Sequence, residues 1–175
     1  MKFYDSSNAA NYPHGQAACF YGDGRFAVTG AEVAAIGPPE HRMITVTGDG
    51  NRCSIIDGKP DNPLTPAQVR GFVRERKGRQ QDAIIYCPRS WVAEYQAVLA
   101  DFGHGDLGGY GGLYWWISTL DGVQWTPQTL AANLAAEWDA TVDPSRIWAV
   151  QNNQLPEIGP GALVDQSELF LAWRP

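Results

Sequence analysis

The sequence predicts an α/β domain whose eight short strands close into a compact (β/α)8, TIM-like barrel with some helices reduced to loops. Two observations carry this. Short, continuously apolar runs alternate with helical patterns along the chain, as parallel strands covered on both faces require. Those runs end repeatedly in Asp or Gly, the turn chemistry of a strand handing over to a crossover. Length is the difficulty. A typical barrel has about 250 residues and this chain has 175. Helices should therefore be missing, particularly after strands one, three and seven. An open doubly wound parallel sheet stands as the alternative. No repeat or linker divides the chain, so one domain over residues 1–175 is expected.

The elements follow in order. Phe3-Tyr4 is a first strand ending at Asp5, and Ala17 to Tyr21 a second, ending at Gly22-Asp23-Gly24. Thr29 to Ile36 reads as a short helix stopped by Gly37-Pro38-Pro39. Met43 to Thr47 is a third strand, before Gly48-Asp49-Gly50, and Ser54 to Ile56 a fourth, before Asp57-Gly58. Thr65, Pro66 and Gln68 form a capping box with proline in the first turn. Val69, Phe72 and Val73 then mark a buried helix face, and Gly78 ends it. Ala83 to Tyr86 is the fifth strand. Ser90 is placed to cap a helix whose face carries Trp91, Tyr95, Val98, Leu99 and Phe102, closed by Gly103. Leu113 to Ile117 is the sixth strand, and Thr126-Pro127 opens a helix with Leu130, Leu134 and Trp138. Ile147 to Val150 is the seventh strand and Ala162 to Val164 the eighth, ending at Asp165.

Charge narrows the partners. Thirteen basic against nineteen acidic residues give a net charge of −6, which disfavours nucleic acid and anionic membrane as partners. The basic stretch Arg70 to Arg79 lies in a helical pattern and reads as a solvated face. Three widely spaced cysteines, Cys19, Cys53 and Cys87, make neither a disulfide framework nor a metal-ligand pair and are expected as buried thiols. The start of the chain lacks the apolar stretch of a signal peptide, and no apolar run is long enough to span a bilayer. A soluble protein is expected, released or carried by another factor if it acts outside a cell. Seven Trp, seven Tyr and six Phe supply core rings and, secondarily, surfaces on which sugars stack.

One motif is discounted. Gly103-His104-Gly105-Asp106-Leu107-Gly108 matches G-x-G-x-x-G but follows a helix and precedes a strand, the reverse of a dinucleotide site. The acids are more informative. Sites in parallel α/β domains form at the carboxyl ends of strands, and Asp5, Asp23, Asp49, Asp57 and Asp165 all stand there. Asp23 and Asp49, between glycines, read better as turn residues. Acids crowded at one rim repel one another and hold part of the set protonated, the setting a glycosidase uses. The same acids could alternatively ligate a divalent cation through Asp5, Asp57 and Asp165.

Several strand ends together resemble the family 25 glycoside hydrolases, the muramidase-type barrels. They are Asp5-Ser6-Ser7, Asp57-Gly58-Lys59, Ile85-Tyr86-Cys87, Trp115-Trp116-Ile117-Ser118, Trp148 with Gln151, and Leu163-Val164-Asp165-Gln166. Asp57 to Gln68 looks most like compact actinobacterial and phage relatives. The resemblance implies a barrel that holds the glycan of peptidoglycan, with no cofactor. Asp5, Asp57 and Asp165 would form an acidic floor, and Tyr86, Trp116 and Gln151 would be sugar contacts. Of the adjacent Trp115 and Trp116, only one can face the groove.

The chain departs from the family at one position. The family's D-x-E motif ends in the general acid, and here that position is Lys59, with Glu157 as a remote substitute. A lysine with its usual pKa near 10 cannot protonate a glycosidic oxygen, and losing a general acid costs about 10² to 10⁴ in rate. Two expectations follow. One is a glycan-binding or structural domain with weak or lost catalysis, suited to a phage particle or another cell-wall-contact assembly. The other is an active peptidoglycan hydrolase using displaced carboxylates, Asp57 with Asp5 or Asp165.

Overall fold

The structure is a computed structural model that describes residues 1–58, 64–102, 112–155 and 164–171. Eight strands form a closed barrel in chain order. They are β1 (Lys2–Asp5), β2 (Ala18–Tyr21), β3 (His41–Thr45), β4 (Ile55–Asp57), β5 (Ala83–Pro88), β6 (Leu113–Ser118), β7 (Ile147–Leu155) and β8 (Val164–Leu169). Among the described residues, four α-helices follow β2, β4, β5 and β6: α1 (Gly30–Ile36), α2 (Pro66–Gly78), α3 (Val92–Leu99) and α4 (Pro127–Glu137). After β1 there is only a 3-10 turn, Ala9–Asn11, and no helix separates β3 from β4. The stretch 156–163 after β7 lies outside the described residues, as do Lys59, Asp61, Glu157 and the glycine motif at 103–108.

Closure rules out the open sheet. The uniformly parallel sheet is also corrected, because the barrel is mixed. β1 to β7 run parallel to their sequence neighbours, whereas β8 is antiparallel to both β7 and β1. The reason is reach. β7 continues to Leu155, five residues beyond the predicted end at Val150. A parallel return needs a crossover of at least about 10–12 residues, longer than the stretch left before Val164. Asp165 is therefore not at the exit of β8 but at its entry. Because the strand is reversed, it still stands at the rim where the other strands end, opposite Asp5.

Alternation along the strands builds two cores. Phe3, Cys19, Ile44, Ile55, Ile84, Trp116, Trp148 and Leu169 fill the barrel interior. The Phe3 ring lies 5.0 Å from that of Trp116 and 5.1 Å from that of Trp148, contacts worth about 0.5–1.5 kcal/mol each beyond area burial. The alternate residues Ile56, Ile85, Cys87, Trp115 and Ile117 point outward beneath α2, α3 and α4. Trp116 is therefore the inward tryptophan and Trp115 the outward one. α1 covers β2 through Ile36 and Phe20. All three cysteines are buried free thiols.

Helix starts follow the local chemistry. Thr65 accepts from Gln68 N while its own N–H donates to Gln68 Oε1, the predicted reciprocal cap. Thr29 with Glu32 and Thr126 with Thr129 repeat it, each worth about 1 kcal/mol. Ser90 does not act as a cap. It sits inside a 3-10 turn, Arg89–Trp91, and Trp91 precedes α3 without a side-chain cap. The basic stretch of α2 is also not simply solvated. Arg76 is buried and donates to the Asp82 and Gly50 carbonyls. Arg70 and Lys77 both lie over the Phe102 ring.

Candidate functional site

The strand-end acids separate into two groups. Asp23 accepts from Val46 N at 2.7 Å and from the hydroxyls of Thr45 and Thr47. Thr45 Oγ1 in turn accepts from the N–H groups of Thr47, Gly48 and Asp49. This hub ends β3 at Thr45, two residues short of the predicted Thr47. Asp49 caps its own turn by accepting from Asn51 N at 2.9 Å. Both acids therefore hold loops.

Asp5, Asp57 and Asp165 form the second group. Asp5 and Asp165 are direct partners across the β1–β8 ladder, a register that holds Cβ atoms roughly 4.5–5.5 Å apart. Asp57 closes β4 beside Tyr86 of β5 and accepts from the Tyr21 hydroxyl at 3.1 Å. Asp5 is 1% exposed, Asp57 is 3% exposed and Asp165 is partly buried. All three carboxylates act on Tyr86. Burial pushes its phenol well above the ordinary range, and the negative charges of Asp5, Asp57 and Asp165 push it further. Burial, then Asp57 and Asp5, likewise raise the phenol of Tyr21. Both phenols stay protonated at neutral pH and act as hydrogen-bond donors, not as phenolate bases.

The floor beneath these acids is aromatic and amide. Tyr86 stacks on Trp116 with ring centroids 4.1 Å apart and 26° between planes. The Trp116 indole N–H donates to Ser167 Oγ at 3.0 Å. The Tyr86 hydroxyl donates to Gln151 Oε1. Tyr86, Trp116 and Gln151 are all fully buried. Tyr86 and Trp116 thus spend their ring faces on each other. Gln151 keeps one polar atom in reserve, since its Nε2 finds no hydrogen-bond partner among the described residues. Leaving a buried donor unpaired costs about 1–3 kcal/mol.

The structure therefore gathers Asp5, Asp57, Asp165, Tyr86, Trp116 and Gln151 at one rim. Sequence reasoning missed Tyr21, Tyr12 and Ser167. The Tyr12 hydroxyl lies 2.7 Å from the Cys19 carbonyl and 2.9 Å from the Ser6 carbonyl, and it accepts from Ser6 N. It fixes the chain just after Asp5. Tyr21 was legible in principle, because it shares the inward face with Cys19 two residues earlier. Tyr12 sits in an irregular segment and carries no periodic signal. Among the described residues no group of three His, Cys, Asp or Glu side chains could hold a metal ion, which leaves the divalent-cation alternative for Asp5, Asp57 and Asp165 without support. No helix among them is long and apolar enough to cross a membrane. The chain matches no protein-family model, no curated protein and no solved structure.

Proposed function

We propose that the rim is a glycan-binding site on a reduced (β/α)8 barrel resembling the family 25 glycoside hydrolases, with catalysis weak or lost. Peptidoglycan or a related β-1,4-linked amino-sugar polymer is the ligand. The supporting observation is the convergence of Asp5, Asp57 and Asp165 around Tyr86, beside the unpaired amide N–H group of Gln151. Carboxylates accept from sugar hydroxyls and amides, while the Gln151 amide donates to a ligand oxygen. A glycan backbone rich in hydroxyls and amides meets both needs, whereas an anionic group set against the carboxylates is repelled. Lys59, at the position of the family's general acid, argues against robust hydrolysis.

One observation favours the alternative of an active hydrolase. Asp5 and Asp165 face each other across adjacent strands, and carboxyl groups about 5–5.5 Å apart are the spacing of retaining glycosidases. Co-sedimentation with purified peptidoglycan, combined with an assay for new reducing ends, separates the two. Binding without release, lost by at least about tenfold in Asp57→Ala, supports the binding domain. Robust release that vanishes in Asp57→Ala supports the hydrolase. Neither binding nor release would sink both. Activity gained by Lys59→Glu would mark the site as a decayed one.

A further inference from the structure

We propose that Leu120 is a ligand-contacting residue. The turn Thr119–Trp125, between β6 and α4, forms an apolar wall of the rim, and Leu120 packs there against the C–H face of a bound sugar. This inference rests on reading the rim as a glycan site.

The first observation is backbone conformation. Leu120 has φ +49°, a left-handed geometry disfavoured roughly tenfold for a residue with a β-carbon. The other non-glycine residues with positive φ among those described are Gln80 and Asp139. Both directly follow helix ends, where a left-handed residue commonly closes the last turn. Leu120 follows a strand and caps no helix.

The second observation is that burial does not offset this cost. Leu120 is 48% exposed, and Val123 in the same turn is 45% exposed. An apolar side chain is thus held in solvent by a disfavoured backbone. Strain of this kind, kept against both backbone preference and burial, is concentrated at ligand-binding positions.

The third observation is bracing and place. Thr119 N and Leu120 N donate to the Gln151 carbonyl at 2.9 and 3.3 Å, and Gly122 N donates to the Asn152 carbonyl at 3.1 Å. Asp121 pairs with Arg89 at 3.1 Å and accepts from Val123 N and Trp125 Nε1. The turn is fixed on β7 at the same Gln151 whose side-chain Nε2 has no hydrogen-bond partner among the described residues. In the barrel β6 lies two strands from β4 and two from β8, roughly 10 Å along the sheet. The apolar wall and the carboxylates therefore stand at one mouth, on different sides of it.

The size of the patch selects the occupant. Leu120 and Val123 are the exposed large hydrophobic residues of this turn, far less than the roughly 800 Å² per partner of a stable protein interface. Alternating hydroxyls and C–H faces are the surface of a pyranose, and this mouth offers acceptors, an amide donor and a small apolar wall.

The test uses Leu120→Asn and Leu120→Gly, both tolerant of positive φ. Each should weaken co-sedimentation with purified peptidoglycan roughly fivefold. Each should also unfold in urea at the same concentration as the wild type or a higher one. Unchanged binding would overturn the proposal and leave the patch as a contact for another protein. Weaker binding together with lower stability would also overturn it, by making Leu120 a folding residue. If Asp57→Ala abolishes binding while both Leu120 variants bind normally, the glycan reading stands and this inference falls. A wild-type protein that does not bind peptidoglycan refutes both.

Discussion

Gly58 immediately follows Asp57, and replacing it with alanine should damage the fold at the site. Its N–H donates to the Tyr86 carbonyl at 2.7 Å, and its carbonyl accepts from the Tyr95 hydroxyl at 3.1 Å. A Cβ added there would lie 2.7 Å from Cε2, 2.8 Å from Oη and 3.0 Å from Cζ of Tyr95. The requirement for glycine is one of space. Tyr95, on α3, is fully buried in the outer core, and its ring is rigid. Overpacking of this kind costs about 1–3 kcal/mol, and losing the Tyr95 hydrogen bond adds about 1 kcal/mol. Gly58→Ala should therefore lose about 2–4 kcal/mol in urea unfolding, lowering the midpoint by about 1–2 M. The same substitution in a Tyr95→Leu background should cost under about 1 kcal/mol, a coupling that a double-mutant cycle measures. A Gly58→Ala protein within about 0.5 kcal/mol of the wild type would refute the packing argument, as would a cost unchanged by Tyr95→Leu.

Two further outcomes are expected. Tyr86→Phe removes the donor to Gln151 Oε1 and strands a buried amide whose Nε2 is already unpaired. Stability should fall by about 1–3 kcal/mol, and a loss below about 0.5 kcal/mol in urea unfolding would show that the amide finds other partners. Alkaline pH should also destabilise the fold. Burial pushes the Cys53 thiol from 9.0 up to about 12, and Cys19 and Cys87 are raised in the same direction, again chiefly by burial. The unfolded chain then releases these protons before the folded one, so the stabilisation is complete below about pH 9 and is lost as pH rises towards about 12. Each thiol contributes a slope approaching about 1.4 kcal/mol per pH unit. Urea unfolding from about pH 8 to about pH 10.5 should show the decline. Cys53→Ala should make it shallower, and a flat profile would contradict the assignment.

Much of the fold was legible because strand and helix signals are local. Ala83 to Tyr86 is apolar on both faces and lies between the barrel core and the helices. Thr65 and Gln68 announce α2 three residues apart. Strand direction has no such signal. β8, with the sequence Val-Asp-Gln-Ser-Glu-Leu, sets four polar residues between two apolar ones and reads alike in either sense. β7 continues through Gln151, Asn152, Asn153 and Gln154, amides that resemble a loop in sequence. Had that extension been recognised, the short remaining connection would have excluded a parallel β8. The rim was legible to the same extent. The acids were visible as strand ends, and the glycine-flanked Asp23 and Asp49 were correctly expected in turns. The sequence could not show that Tyr86 and Trp116 stack on each other, because that depends on registers between β5 and β6. Nor could it show the left-handed Leu120, whose geometry is imposed by bonds to Gln151 and Asn152.

The reversed eighth strand has a consequence for how the molecule can be tethered. β1 starts, and β8 finishes, at the barrel end away from the carboxylates. There the Met1 amino group donates to the Leu169 carbonyl at 3.4 Å, and Leu169 N donates to the Met1 carbonyl at 2.7 Å. A linker attached near either point would leave from the base and point the acidic mouth away from its anchor. Immobilisation through Met1 should present this mouth to a surface-bound polymer.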